Sequence, residues 1–180
     1  LGIPTFAGVT TKPYNWTGGA QATGYQVWVR SNCGGGSVSP WSAGTVFSTV
    51  QDNASPVCFN FALPSTGCSN TVPISVSGAV GNTLGTDVFL DRIELTVAHT
   101  RLDELDIFLK SPNNQTVELT TDNGGTGDNY GNPAVCPAQP TVFAMWAATA
   151  VTAGAAPFIG NYLPEGNFSS LNGADPNGNW

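Results

Sequence analysis

Alternation of apolar and polar residues between Phe89 and Leu119 is the feature that most restricts the fold of this chain. Apolar residues and one histidine occupy the odd positions from Phe89 to His99, except for Asp91, which breaks the series near the start of the strand. Charged or polar residues stand between several of them. Because side chains of a strand change face at each residue, this pattern predicts a strand with one buried face. A turn at residues 100–104 follows, and then a β-hairpin. Its inward residues are Leu105, Ile107, Leu109, Val117 and Leu119, on either side of a Ser111–Asn114 turn.

The rest of the chain supports an all-β fold. Its 180 residues include 22 Gly and 13 Pro, only 9% are charged, and no long stretch repeats apolar residues at helical spacing. The best helix candidate is Val142–Val151. Without an apolar run of about 18 residues, no membrane insertion is expected. The net charge is -7 with five scattered basic residues, which argues against nucleic acid and anionic membranes as partners.

Low lysine content and four cysteines suit an extracellular protein, secreted or on the cell surface. No Cys-x-x-Cys pair occurs, and with a single histidine a zinc site is not expected. Cys58 and Cys68 flank a short loop, so the sequence favours their pairing, which would contribute about 2–3 kcal/mol. The competing connectivity joins Cys33 to Cys58 and Cys68 to Cys136.

No signal peptide precedes Leu1, so we expect a processed or excised fragment.

Residues 1–50 carry a first resemblance. The segments that carry it are Tyr25–Arg30, Cys33–Gly34, Ser39–Ser42 and Val46–Thr49. Together they resemble the last half of a fibronectin type III domain from a secreted bacterial protein. Such a domain normally needs about twice this length, so the resemblance implies a partial β-sandwich at the N-terminus. Residues 51–70 then form a linker or connector.

Residues 71–180 carry a second resemblance. The segments that carry it are Ile74–Gly78, Ile93–Thr100, Glu104–Asn113, Val117–Leu119, the glycine-rich loop Gly124–Asn129, Gly160–Pro164 and Gly178–Trp180. Together they resemble the P domain, or Homo B domain, that follows subtilisin-like catalytic domains in proprotein convertases and in many bacterial secreted proteases. The resemblance implies a jelly-roll-like β-sandwich, with the domain truncated after Trp180. Two features depart from the family: Asp103-Glu104 replaces its usual Gly-Asp, and an insert with Cys136 follows the glycine-rich loop. The insert argues that Val142–Val151 is a modified strand and loop.

His99 is the only histidine, so a Ser-His-Asp or Cys-His system would have to use it. It ends the predicted strand on the buried side, where a packed, hydrogen-bonded histidine is the simpler interpretation. No Gly-x-Ser-x-Gly motif is present. We therefore expect no catalytic residues and no enzymatic activity.

Acidic residues cluster at Asp103–Asp106, and more follow in the glycine-rich loop. Solvated turn charges are one interpretation of this cluster, and a calcium site is the other, because calcium prefers six to eight oxygen ligands. The predicted ligands of calcium, the one cofactor considered, are Glu104, Asp106, Asp122 and Asp128. A carboxylate pair for glycoside hydrolysis is disfavoured, because these neighbours share one turn rather than facing each other across a cleft.

Three functions remain open for a non-catalytic chain of this kind. The first is a structural β-sandwich module of a large bacterial surface protein, of the adhesin or filament type. Its partners would be other domains of the parent chain or neighbouring subunits. The second is an accessory module that stabilises a secreted subtilisin-like serine protease. The third is a carbohydrate-binding module, since the chain has five tryptophans whose rings stack well on sugars.

Overall fold

The computed structural model describes residue 16, residues 19–20 and 23–48, residue 58, and residues 70–180. Residue contacts divide the chain into two compact units, Leu1–Asp52 and Asn53–Trp180. Of the predicted connector, only Cys58 and Asn70 lie among the described residues. Among the described residues, none of the helices has the length and apolar composition of a membrane span.

The protein is all-β, as predicted, and its arrangement is consistent with a β-sandwich. The strands are β1 (Gly24–Val27), β2 (Asn32–Gly34), β3 (Ser37–Val38), β4 (Thr45–Ser48), β5 (Ser75–Val76), β6 (Arg92–Leu95), β7 (Asp106–Lys110), β8 (Thr116–Thr121), β9 (Thr141–Ala144), β10 (Gly160–Tyr162) and β11 (Gly178–Asn179). Among the described residues, short 3₁₀ helices lie at Leu102–Glu104, Pro133–Val135, Val151–Ala153 and Phe168–Leu171.

In the first unit, β1 and β4 form an antiparallel pair in which Tyr25 lies opposite Phe47. Their rings stack with centroids 5.6 Å apart, and Trp16 packs edge-on against Tyr25 at 4.6 Å. β2 and β3 form a small hairpin whose three consecutive glycines, Gly34–Gly36, all adopt positive φ. Glycine alone adopts such a conformation without steric cost.

In the second unit, β9 is the central strand of a three-stranded sheet, with β6 antiparallel on one side and β10 parallel on the other. The predicted hairpin is confirmed as the antiparallel pair β7–β8. The pair β5–β11 joins the two ends of the stretch that is described without a gap, residues 70–180, since Ile74 and Trp180 exchange two backbone hydrogen bonds of 2.9 Å.

One core cluster holds the second unit together. It contains Leu84, Leu102, Leu105, Val117, Leu119, Tyr130, Phe143, Val151, Phe158, Phe168, Leu171 and Ala174. Its centre includes an aromatic pair, because the rings of Tyr130 and Phe158 lie 4.8 Å apart. Burying each large apolar side chain contributes about 1.5–3 kcal/mol relative to leaving it exposed, so this cluster is the main stabilising element of the unit.

The strand predicted over residues 89–99 is shorter than its alternation suggested. β6 ends at Leu95, and only an isolated bridge from Val97 to Tyr130 continues it. Phe89 is 74% exposed, so its predicted inward placement is wrong. Leu90 packs on the core instead. Before β6 the residues that face the core stand at even positions, and within β6 they stand at odd positions.

The segment Val142–Val151 is not a helix. It begins within β9, passes through a turn and ends in a 3₁₀ helix at Val151–Ala153. The interpretation as a modified strand and loop is confirmed. Phe143 and Ala144 are fully buried on both sides of β9, so the apolar run reflects a central strand rather than a helix.

The disulfide of the structure joins Cys58 to Cys136, with Cα atoms 6.2 Å apart. The predicted pairing of Cys58 with Cys68 is therefore wrong. The alternative of Cys33 with Cys58 is also wrong, because Cys33 is a free, exposed thiol. Cys68 lies outside the described residues. Sequence proximity does not decide a disulfide, since a bond needs the folded backbone to bring two Cβ atoms within about 4.5 Å.

Candidate functional site

The fold brings the acidic turn and the glycine-rich loop together, although they are about 20 residues apart in sequence. The backbone N–H of Leu102 and that of Asp103 both donate to the carbonyl of Gly125, at 3.1 and 3.0 Å. The N–H of Asp122 donates to the carbonyl of Leu105 at 3.2 Å. The two segments suspected of sharing a calcium ion are thus neighbours through their backbones.

Close packing of the loop depends on Gly124. A Cβ at this position would lie 2.8 Å from Phe158 Cε2 and 2.9 Å from Leu102 Cδ1. Its φ of +96° is also one that residues with a side chain rarely adopt. Glycine therefore lets the loop lie directly on the core.

Arg101 already neutralises part of the acidic turn. Its guanidinium donates to both carboxylate oxygens of Asp103, at 3.1 and 2.8 Å, and its Nε lies 3.2 Å from Glu104 Oε1. Half of the Arg101 side chain is exposed, so these ion pairs are screened by water and each contributes less than about 1 kcal/mol. A metal ion at Glu104 would have to compete with this cation.

The predicted calcium ligands are all exposed: Glu104, Asp106, Asp122 and Asp128. In the part of the chain that the structure describes, no three or more His, Cys, Asp or Glu side chains form a group that could hold a metal ion. The structure therefore brings the segments together without gathering their carboxylates. The calcium site remains a prediction.

A buried polar network lies beside the loop. Tyr130 is fully buried, and its hydroxyl lies 3.0 Å from the Thr120 hydroxyl and donates to the Asn123 carbonyl at 3.1 Å. The Asn123 side-chain amide donates to Thr120 Oγ1 at 3.0 Å and to Glu165 Oε2 at 2.7 Å. The network joins β8, the loop and the segment after β10.

The environment of Tyr130 raises the pKa of its phenol above the usual value of 10.0. Burial is the main cause, because it disfavours the charged phenolate. The nearby negative charge of Glu165 acts in the same direction, and the hydrogen bond with Thr120 opposes it. Tyr130 is therefore held neutral, as a hydrogen-bonding group of the core.

Sequence reasoning missed this network for a structural reason. The side chains of β8 alternate between its two faces as far as Leu119. A β-bulge then shifts the register, so that Ile107 lies opposite Thr120 while the next residue, Phe108, lies opposite Glu118. Leu119 and Thr120 are both buried as a result. A bulge adds one residue to one strand and changes which face the following side chains occupy. No pattern in the sequence indicated it.

His99 lies where the backbone leaves the sheet, and it is half-buried rather than fully buried. The backbone N–H of His99 donates to Asn129 Oδ1 at 3.0 Å, and the backbone N–H of Asn129 donates to the His99 carbonyl at 3.0 Å. Among the described residues, the imidazole makes its hydrogen bonds through Nδ1 with the backbone of Arg101. These contacts tie residue 99 to the glycine-rich loop.

Several large apolar side chains of the second unit face solvent. Phe89 is 74% exposed and Trp146 is 56% exposed, and the other exposed members are Ile74, Val80, Phe108, Val135, Met145 and Ile159. Trp146 differs in this respect from Trp180, which packs on the core and donates to the Pro176 carbonyl at 2.9 Å. In the first unit, Trp41 lies under the Arg30 guanidinium at 4.4 Å.

Three comparisons with known proteins found nothing similar. No family model matches the chain, and neither the curated proteins nor the solved structures contain a match.

Proposed function

We propose that this chain is a non-catalytic β-sandwich module of a large secreted or cell-surface bacterial protein, working through protein–protein contacts. The proposal includes a P-domain-like, jelly-roll arrangement for residues 71–180 and a fibronectin-like character for residues 1–50. An adhesin or an extracellular filament is the type of parent protein we favour.

The exposed aromatic side chains of Phe89 and Trp146 carry this proposal. Exposed apolar patches, where they are contiguous, mark interaction sites on soluble proteins. Phe89 and Trp146 are the most relevant residues, because both lie at the same end of the β6–β9 strand pair. At that end Arg92 of β6 lies opposite Ala144 of β9. Phe89 precedes Arg92 by three residues, and Trp146 follows Ala144 by two.

The test is self-association measured by sedimentation equilibrium over a wide range of protein concentration. We expect association that weakens in the double variant Phe89→Ser, Trp146→Ser while its melting midpoint stays close to that of the unmodified chain. Val135→Ser is the matched control, since Val135 is also exposed but lies outside the β6–β9 pair. A chain that stays monomeric throughout would contradict the filament-type function.

A monomeric chain would instead favour an accessory module of a secreted subtilisin-like protease, the second candidate. The observation that supports this candidate is the dense backbone pairing of the loop with the acidic turn, which suits a rigid stabilising module. The parent reading frame separates the two functions. A subtilisin-type Asp, His and Ser set upstream supports the protease, and tandem β-modules without one support the surface protein.

Carbohydrate binding rests on one observation, the exposed ring of Trp146. Isothermal titration with soluble polysaccharides tests it, and heat release that Trp146→Ala abolishes would support a sugar-binding module.

A further inference from the structure

Strand β7 has one edge without a partner strand in the part of the chain that the structure describes. It forms a two-stranded sheet with β8, and no other described strand joins that sheet. The far edge of β8 is occupied, since the backbone of residues 165–166 donates two hydrogen bonds to the carbonyls of Glu118 and Leu119, at 2.9 and 3.2 Å. The open edge of this hairpin is therefore the outer edge of β7.

Two hydrogen bonds show which backbone groups of β7 point to that edge. The N–H of Ser111, just after β7, donates to the Gln115 carbonyl at 2.8 Å. The carbonyl of Leu105, just before β7, accepts from the N–H of Asp122 at 3.2 Å. The odd-numbered residues at both ends thus direct their backbone groups toward β8. Because successive residues of a strand direct these groups to opposite sides, the even-numbered residues of β7 direct theirs to the open edge: Asp106, Phe108 and Lys110.

The side chains of the same three residues are exposed. Phe108 is 54% exposed, and an exposed charge lies two residues away on either side of it. In the described part of the chain the salt bridges are made by Arg92 and Arg101, and the charges of β7 take part in none. A single charge on an edge strand discourages pairing with another strand. β7 instead carries one charge of each sign, placed symmetrically about an aromatic ring.

We propose that β7 pairs with β7 of a second copy of this chain, antiparallel and about a two-fold axis at Phe108. This register places Asp106 opposite the second copy's Lys110, and Lys110 opposite the second copy's Asp106. Phe108 lies opposite its own counterpart, and every such residue pair exchanges two backbone hydrogen bonds. Cross-strand pairs of opposite charges and of aromatic rings stabilise a sheet. The pairing rests on the proposed function, association through protein–protein contacts, and names a second copy as the partner.

The two ends of β7 favour this register over its neighbours. Moving the second copy by two residues in one direction would put Asp106 opposite Pro112, which has no N–H to donate. Moving it by two residues in the other direction would put Lys110 opposite Glu104. That residue belongs to a 3₁₀ helix rather than to a strand, and its carboxylate already pairs with Arg101.

Charge substitutions in the full chain test the pairing, in the Phe89→Ser, Trp146→Ser background that removes the other contact surface. Asp106→Lys leaves two positive charges on β7 and Lys110→Asp leaves two negative charges, so each variant repels its own copies. We expect each to associate about tenfold more weakly than the background protein in sedimentation equilibrium, because like charges face each other across the strands. Asp128→Lys makes the same change of charge at an exposed position outside β7 and should leave the association unchanged.

An equimolar mixture of the two variants should regain the lost affinity, because unlike charges again face each other. The chain with both substitutions, Asp106→Lys and Lys110→Asp, should associate as the background protein does for the same reason. If neither the mixture nor this chain associates more strongly than the single variants, the pairing is overturned. An unmodified chain that stays monomeric contradicts the proposed function and the pairing together, whereas association that is insensitive to these charges contradicts the β7 pairing alone.

Discussion

The hydroxyl of Tyr130 lies 3.0 Å from that of Thr120 in a part of the core where both side chains are fully buried. A buried polar group needs partners, because leaving one without a hydrogen bond costs about 1–3 kcal/mol. Asn123 supplies those partners from the glycine-rich loop, through its carbonyl and its amide. The contact therefore fastens the loop to the core.

Tyr130→Phe removes this hydroxyl with little change of shape. We expect a loss of about 1–2 kcal/mol in the free energy of unfolding, because Thr120 and the Asn123 carbonyl lose a partner inside the core. Urea denaturation measures it. Tyr162→Phe is the matched control, since Tyr162 packs against Phe158 but is only half-buried. Equal losses in the two variants would contradict a role for the Tyr130 hydroxyl.

Alkaline pH should destabilise the protein through the same residue. Burial raises the pKa of Tyr130 above 10.0 in the folded state, whereas the unfolded phenol ionises near that value. The stabilisation is therefore fully present below pH 10.0 and is lost as the pH rises through the folded pKa. Urea midpoints measured from neutral pH upward should fall less steeply in Tyr130→Phe. If the urea midpoints of the two proteins fall equally with pH, the ionisation of Tyr130 is not linked to the loss of stability.

Breaking the disulfide should cost far more than removing the free thiol of Cys33. The bond closes a loop of 78 residues, which the chain-entropy relation converts to about 4.5 kcal/mol of stability. We expect Cys136→Ser to lose most of this in thermal or urea unfolding, and the control Cys33→Ser, which removes a free and exposed thiol, to lose little. Equal losses in the two variants would contradict a stabilising role for the Cys58–Cys136 bond.

Two neighbouring glycines offer a matched test of the loop. Both have positive φ, but a Cβ at Gly124 would meet Phe158 and Leu102, whereas a Cβ at Gly125 has nothing within 4 Å. Gly125→Ala should cost about 1–2 kcal/mol through backbone strain alone. Gly124→Ala should cost about 1–3 kcal/mol more, because the core must also shift. Similar melting midpoints for the two variants would show that the loop does not pack this closely.

The predicted calcium site is tested by melting the protein with calcium and with a chelator. Ligand binding to the folded state alone raises the midpoint, so a site at Glu104, Asp106, Asp122 and Asp128 requires a higher midpoint with calcium. Asp122→Asn should reduce that difference, while Asp87→Asn, which lies outside the predicted site, should preserve it. Equal midpoints with and without calcium would eliminate the site.

Periodicity predicted the hairpin well, because Leu105, Val117 and Leu119 are buried by the simple alternation of a strand. It failed where the alternation is interrupted. Phe89 precedes β6 rather than lying within it, and Thr120 follows a bulge. The calcium hypothesis placed the acidic turn and the glycine-rich loop in one predicted site. It could not reveal that Arg101 already pairs with Asp103 and Glu104.

Local sequence patterns were enough to predict an all-β chain, because the period of the apolar residues and the many turn residues are local properties. The same patterns located the β7–β8 hairpin. The partner of Cys58, the burial of the Tyr130 network and the exposure of Phe89 became evident only from the tertiary structure. All three features depend on which distant segments of the chain come into contact, and the packing of the whole unit determines those contacts. For this reason Cys58 forms its disulfide with a residue 78 positions away rather than with its near neighbour in sequence.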